Sequence, residues 1–177
     1  RWTATRSESF IADNQGRDHL TRAELALDRK GRFLALRVRT LANLGAYVST
    51  FGAAIPSAIY SALLAGVYQT PAISVESIGV FTNTIPTDAY RGAGRPEACY
   101  VLERLADLAA DKLKMDRAEI RRRNLVPPTA MPYKTPIGPT YDSGNFPKLF
   151  GRVLELGAYQ TFEVRRSSAK KRGALRG

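Results

Sequence analysis

The chain is 177 residues long, 44% hydrophobic and 24% charged, the composition of a globular domain with enough chain to bury a core. A net charge of +11 asks for acidic surroundings, and a single cysteine excludes an internal disulfide. No run approaches the roughly twenty apolar residues of a membrane span, and no apolar leader stands at the start, so the reading is a protein of a reducing cytoplasm.

In chain order, Thr21 to Leu27 and Phe33 to Thr40 read as a β-hairpin around Asp28-Arg29-Lys30-Gly31, with Gly31 supplying the positive φ of the turn. Leu34, Leu36, Val38 and Thr40 share one face of the second strand and Arg37 and Arg39 the other. Leu41 to Val48 extends that strand, with Gly45 marking a bulge or a close backbone approach. Ser57 to Leu64 reads as a short helix, and Ile73 to Phe81, β-branched and alternating, as another strand.

The run from Thr82 to Glu97 carries the densest signal. Gly92, Ala93 and Gly94 bear almost no side chain, Arg91 and Arg95 flank them with planar forks suited to phosphate or carboxylate, and Pro96 suits the first turn of a helix. That combination points to an anion site at a loop-to-helix junction, with an ordinary glycine-containing connector as the plainer reading.

Beyond it the period becomes helical. Leu102, Leu105, Ala106, Ala109 and Leu113 form one apolar stripe, so a helix is predicted over 97–113. Asp116 and Glu119 have capping-box spacing for a second helix over 117–124. Prolines 127, 128, 132, 136 and 139 make 126–141 an extended connector. Asn145 caps a last helix over 146–157 whose face is Phe146, Leu149, Phe150, Val153 and Leu154. Residues 163–177 form a basic tail, six basic side chains against Glu163 alone. It reads as a solvated tail or an exposed helix face that meets another part of a larger protein. Strands first and helices after give an α+β class.

No metal or nucleophile constellation can be assembled from these residues. His19 is the only histidine and reads as structural, Cys99 as a small buried hydrophobe, and Glu97 and Glu103 as helix-start and helix-surface residues. Tyr47 and Asn83 read as structural, Asn83 through a local turn bond; Tyr90 divides evenly between packing and pocket lining.

The segment Ala89-Tyr90-Arg91-Gly92-Ala93-Gly94-Arg95-Pro96-Glu97-Ala98 resembles the active-site loop of molybdenum hydroxylase large subunits, the family of xanthine dehydrogenase, aldehyde oxidase and aerobic carbon monoxide dehydrogenase. Gly16-Arg17-Asp18-His19, Asn43-Leu44-Gly45-Ala46-Tyr47, Thr82-Asn83-Thr84, Glu119 to Leu125, Pro132-Tyr133, Tyr141 to Gly144 and Arg172 to Gly177 resemble family segments in the family's order. The resemblance thus covers essentially the whole chain. It implies that 1–177 is one fragment of the molybdopterin-binding domain of a large subunit that uses a molybdenum–pterin, as molybdopterin or its cytosine dinucleotide. Iron–sulfur clusters and FAD would sit on partner domains or subunits.

Carried over residue by residue, Ala89, Tyr90, Arg91 and Gly92 are expected to bind the cofactor, and Ala93 and Gly94 to line the floor of the substrate pocket. The family's catalytic glutamate is expected beyond Gly177, so no catalytic residue falls within the fragment, no side chain binds metal directly, and the isolated fragment should be inactive. Gly92 stands where carbon monoxide dehydrogenases carry a copper-holding cysteine, so no copper is expected. Ala93 stands where xanthine dehydrogenases carry a phenylalanine that stacks on purine. Ile59 and Tyr60 stand in the region of the purine-orienting arginine. A small-molecule aldehyde or heterocycle remains as the expected substrate, hydroxylated with water-derived oxygen. The competing readings are a structural or interaction module without cofactor and, favoured by charge alone, a basic nucleic-acid-binding domain. The opening on Arg1 rather than Met is what a stretch of a longer protein would show.

Overall fold

A computed structural model describes residues 1–177. Helix α1 (Arg6–Ala12) leads into strands β1 (His19–Leu27) and β2 (Phe33–Gly45). A crossover carries a π-helical turn, Ile55–Ile59, directly into the short α2 (Tyr60–Ala62) and on to β3 (Ala72–Phe81). After the glycine loop come α3 (Arg95–Leu113) and α4 (Arg117–Asn124), then a two-residue ladder of β4 (Tyr133–Lys134) and β5 (Thr140–Tyr141), and finally α5 (Phe146–Leu156) and α6 (Phe162–Lys171). This is the mixed class expected, strand-rich first and helical later.

Strand β2 is the centre of a three-stranded sheet in the order β1-β2-β3, antiparallel to β1 and parallel to β3. The antiparallel pair closes through a tight turn in which Asp28 Oδ1 accepts from the N–H groups of Lys30 (2.8 Å) and Arg32 (2.9 Å). The parallel pair needs a crossover, and the π/α segment supplies it. Leu36, Val38, Thr40, Ala42 and Leu44 alternate into the interior, while Arg37 and Arg39 point out and pair with Glu24 and Glu76. Leu34 departs from the expected face: it is 49% exposed, because the buried residue at this end of β2 is Phe33, beside the turn.

Two apolar clusters hold the helices on the sheet. Leu36, Val38, Tyr60, Leu64 and Ala98 join β2, the crossover and the start of α3. Phe33, Tyr68, Ala106, Ala109, Ala110, Ile120 and Leu125 join the turn end of β2 to α3 and α4. The stripe read on α3 faces this core through Ala106 and Ala109. Cys99, however, is exposed, not a buried hydrophobe, because Ala98 is the residue of that turn that meets the core and its successor turns about 100° away.

Asp116 caps α4 by accepting from Glu119 N–H at 2.8 Å. The return half of the box is missing, since the Glu119 carboxylate pairs with Arg122 and Arg123 instead. Asn145 caps α5, accepting from Lys148 N–H at 3.0 Å. On α5, Phe146 and Phe150 lean on the core, whereas Leu149, Val153 and Leu156 stand in the open.

Asn124, at the end of α4, is the polar hinge of this core. It is buried; its Oδ1 accepts from Phe33 N–H and its amide donates to the carbonyls of Gly31 and Ile120, each at 2.8 Å. Asn124→Ala orphans a buried donor and a buried acceptor on the hairpin. We expect a loss of about 3 kcal/mol in urea unfolding, against less than about 0.5 kcal/mol for Thr129→Ala on the exposed connector.

Candidate functional site: a glycine loop under a polar strap

Segment 82–94 leaves β3 and runs back across the end of β2 to α3. Parallel pairing is prolonged past the sheet: Ala46 N–H donates to Thr84 O at 2.9 Å, Thr82 N–H to Gly45 O at 3.0 Å, and the Thr87 hydroxyl to Asn43 O at 2.6 Å. Asn43 wires together three of the motifs read in the sequence. Its amide donates to Asp18 Oδ2 (2.8 Å) and Thr84 Oγ1 (3.0 Å), and its Oδ1 accepts from Gly45 N–H and the Thr82 hydroxyl, both at 2.8 Å. Asn83 itself is exposed, and the local turn bond expected of it is made by Thr82, whose hydroxyl accepts from Thr84 N–H at 3.3 Å.

Asp88 is a second hub. It accepts from the Ser49 hydroxyl, from the N–H groups of Ala89 (2.6 Å) and Phe51 (3.1 Å), and from Asn14 at 3.5 Å. The Ser49 hydroxyl first, then those N–H groups, hold its carboxyl below the ordinary aspartate value. Neither Ser49 nor Asn14 carried any signal in the sequence, since both are common polar residues in unpatterned stretches.

The loop then makes three consecutive left-handed residues, Gly92 (φ 99°), Ala93 (φ 38°) and Gly94 (φ 85°). A Cβ on Gly94 would stand 2.9 Å from Tyr60 N, backbone against backbone, so the start of α3 lies flush on the π-helical crossover. Ala93 N–H turns back to Tyr90 O at 2.8 Å and Arg95 N–H to Gly92 O at 3.1 Å, whereas the N–H groups of Arg91 and Gly92 find no acceptor in the chain. The Arg91 side chain is exposed and makes no ion pair. Ala89 and Tyr90 are exposed beside it; Ala93 is half-buried and Gly94 buried. Tyr47 is likewise exposed.

Beneath the loop, Arg17, Asp18, His19, Asn43, Thr87, Asp88 and Glu97 line a narrow polar crevice. His19 packs edge-on against Tyr60, ring centroids 5.2 Å apart. Two buried atoms there lack any partner, His19 Nδ1 and Glu97 Oε2. Burial lowers the His19 pKa, against the pull of Glu97 and Asp18.

The family model for the molybdopterin cofactor-binding domain matches residues 1–125. The chain belongs to this family. Its relatives include the carbon monoxide dehydrogenase large chain of Afipia carboxidovorans, 32% identical over 99% of this chain and 22% of that one. Subunit gamma of the 6-hydroxypseudooxynicotine dehydrogenase complex of Paenarthrobacter nicotinovorans is 35% identical over 88% of this chain and 20% of that one. Among solved structures, quinoline 2-oxidoreductase from Pseudomonas putida 86 superposes with a TM-score of 0.88 at 35% identity, over 97% of this chain and 22% of that one. The domain therefore spans about a fifth of the length of these relatives. No helix in it is long and apolar enough to cross a membrane.

The lowered His19 pKa has a pH consequence. The unfolded chain, with an ordinary histidine near 6.5, takes up a proton that the fold resists, so the neutral ring's contribution is complete above about pH 6.5 and is lost as pH falls toward the lower folded value. His19→Gln should flatten that part of the profile. Urea midpoints at pH 5 to 8 for both proteins check this; parallel profiles would reject it.

Proposed function

We propose that this domain is part of the molybdopterin-binding subunit of a molybdenum hydroxylase, and that the loop 89–94 is its cofactor-facing element. The observation that carries this is the pairing of a free guanidinium with free backbone donors at the mouth of α3: Arg91 without a carboxylate, and the Arg91 and Gly92 N–H groups without acceptors. Together with the positive end of a 19-residue helix, they suit the anionic oxygens of a pterin phosphate or an oxo-metal centre. The residues fit the group: the Arg91 and Gly92 N–H groups are unbonded, the Arg91 side chain is exposed, and the backbone packs on Tyr60 at Gly94, leaving the exposed side of 89–92 for a ligand.

Bound there, the cofactor supplies two-electron redox chemistry, and the protein supplies orientation and electrostatics. Arg91 offers fixed charge and a planar fork, Ala89, Tyr90 and Gly92 carry the backbone past the cofactor, and Ala93 with Gly94 leaves a shallow floor for substrate. A floor without an aromatic wall suits an aldehyde or a heteroaromatic ring bound through contacts from elsewhere. Copper has no ligand here, because Gly92 brings no thiolate and Cys99 is on the exposed side of α3. One similar structure, at 31% identity, is a Cu,Mo carbon monoxide dehydrogenase; its copper does not transfer to a chain with glycine at this position.

The assembly follows from the surface. The apolar side chains left open on α5 and the basic helix α6 are where the rest of a large subunit would pack; 126–141, read as an extended connector, instead folds back through the β4–β5 ladder, with the Tyr141 hydroxyl donating to Gly66 O. Iron–sulfur and flavin domains or subunits complete the electron path, in the cytoplasm.

Arg91 is the test. In the full-length protein, Arg91→Ala should lower molybdenum content or aldehyde turnover roughly tenfold or more, and Arg91→Lys should not behave as conservative, because the fork is lost. Arg37→Ala, on the outward face of β2, is the control and should stay near wild type. Equal values for Arg91→Ala and Arg37→Ala would remove the loop from the site. The isolated 177-residue chain should bind no stoichiometric molybdenum by elemental analysis, since the reading places the base and other cofactor contacts outside it.

A further inference from the structure

We infer that Arg17 is the positioning residue that fixes the Tyr90–Arg91 segment and, with it, the direction of the Arg91 fork. Its guanidinium lies over the Tyr90 ring, 4.6 Å from the centroid; it donates to the Arg91 carbonyl; and its Nε stands 3.8 Å from Glu97 Oε1 on the first turn of α3. One planar cation therefore spans the side chain before the free arginine, the backbone of that arginine, and the helix that follows.

The anchor is itself held on both sides. Gln15 N–H donates to Pro86 O at 3.1 Å and Asp88 N–H to Gln15 O at 2.8 Å, tying the polar strap of residues 14–18 to the loop ahead of Arg17. After it, Asp18 O accepts from Asn43 N–H at 3.0 Å, tying the strap to the end of β2. Gly16 lies so close on Tyr90 that a Cβ there would meet the tyrosine Cβ at 2.7 Å. Arg17 adopts a left-handed backbone (φ 64°), uncommon for a non-glycine residue and retained where neighbours over-determine it. The Glu97 carboxylate is only 12% exposed, and Arg17 is its one cationic partner. Loss of Arg17 therefore removes the stack, the bond to the Arg91 carbonyl and the counter-charge together.

This inference rests on the cofactor reading of Arg91 only for its consequence; the effect on the loop is measurable without cofactor. Trypsin cuts after arginine but not before proline, so Arg91–Gly92 is a reporter bond and Arg95–Pro96 is silent. In native-state proteolysis of the full-length protein, followed by mass, Arg17→Ala should accelerate cleavage at Arg91–Gly92 roughly tenfold or more, the factor one charge-assisted contact is worth. Arg17→Lys, which keeps the charge beside Glu97 but loses the planar stack, should fall between. Arg104→Ala on the exposed side of α3 should match wild type, and in Arg17→Ala cleavage at Lys112–Leu113 within α3 should rise less than at Arg91–Gly92, which separates loop opening from general destabilisation. Molybdenum content should drop with the same ranking. Unchanged cleavage in Arg17→Ala overturns the inference, and so does a molybdenum loss without faster cleavage, which would make Arg17 a direct ligand instead. Faster cleavage in Arg17→Ala beside full molybdenum in Arg91→Ala would sink the cofactor reading of Arg91 while the positioning role stands.

Discussion

The arrangement of this domain turns on backbone lying directly against backbone where the loop crosses the sheet. At Gly45 (φ 76°) a Cβ would fall 2.4 Å from the Ile85 carbonyl oxygen and equally close to Pro86 Cα, and neither can give way as a flexible side chain would. At Gly94 the same happens against Tyr60 N. These two contacts pin the loop at its ends, and the segment between them is held by side chains. Interiors are packed as densely as crystals, and here β2, the crossover and the start of α3 share one packed cluster.

Polar groups near the loop are spent on holding it. Asn43 and Asp88 each satisfy several partners, and most of those partners are backbone or hydroxyl groups of the loop and of the chain beside it at Gly45, Ser49 and Phe51. On the outer faces, arginines meet carboxylates: Arg39 reaches Glu76 and Arg121 reaches Glu103 and Asp107. Arg91 is among the arginines that have no carboxylate partner. The excess of basic residues over acidic ones means that not every cation can be paired, and Arg91 differs from the other unpaired arginines in standing beside free backbone donors.

The regular elements were legible because periods of two and about 3.6 survive in the sequence. The hairpin around Gly31, the bulge at Gly45, β3, α3 and the caps Asp116 and Asn145 all came from patterns of a few neighbouring residues. Where the reading failed, the deciding partner was distant. Leu34 alternates correctly, but the adjacent Phe33 takes the interior because α3 and Tyr68 come to that end of β2. Cys99 is small and apolar, yet only one residue of its helical turn can face the core. Helix α1 is made by a capping box, Thr5 with Glu8, in a stretch with no buried residue, so no apolar period announced it. The loop itself was visible through its glycines and arginines. Arg17 was visible only as a member of a motif, because its contacts with Arg91 and Glu97 span most of a hundred residues of chain.

The start of α3 shows how local choice serves the site. Helices α1, α4 and α5 all begin with a side-chain cap: Thr5, Asp116 and Asn145 each accept from the N–H three residues on. Such a cap is worth about 1 kcal/mol and is easily supplied by sequence. Helix α3, the longest, begins instead on Gly94, with no side chain to cap it, and on Pro96, with no N–H to offer. Any Ser, Thr, Asp or Asn at Gly94 would collide with the Tyr60 backbone. Glycine therefore forgoes a stabilising cap and keeps the close packing behind the loop. The acidic residue of the first turn, Glu97, is held by Arg17 instead, whose guanidinium also reaches the Arg91 carbonyl and so ties the helix start to the loop.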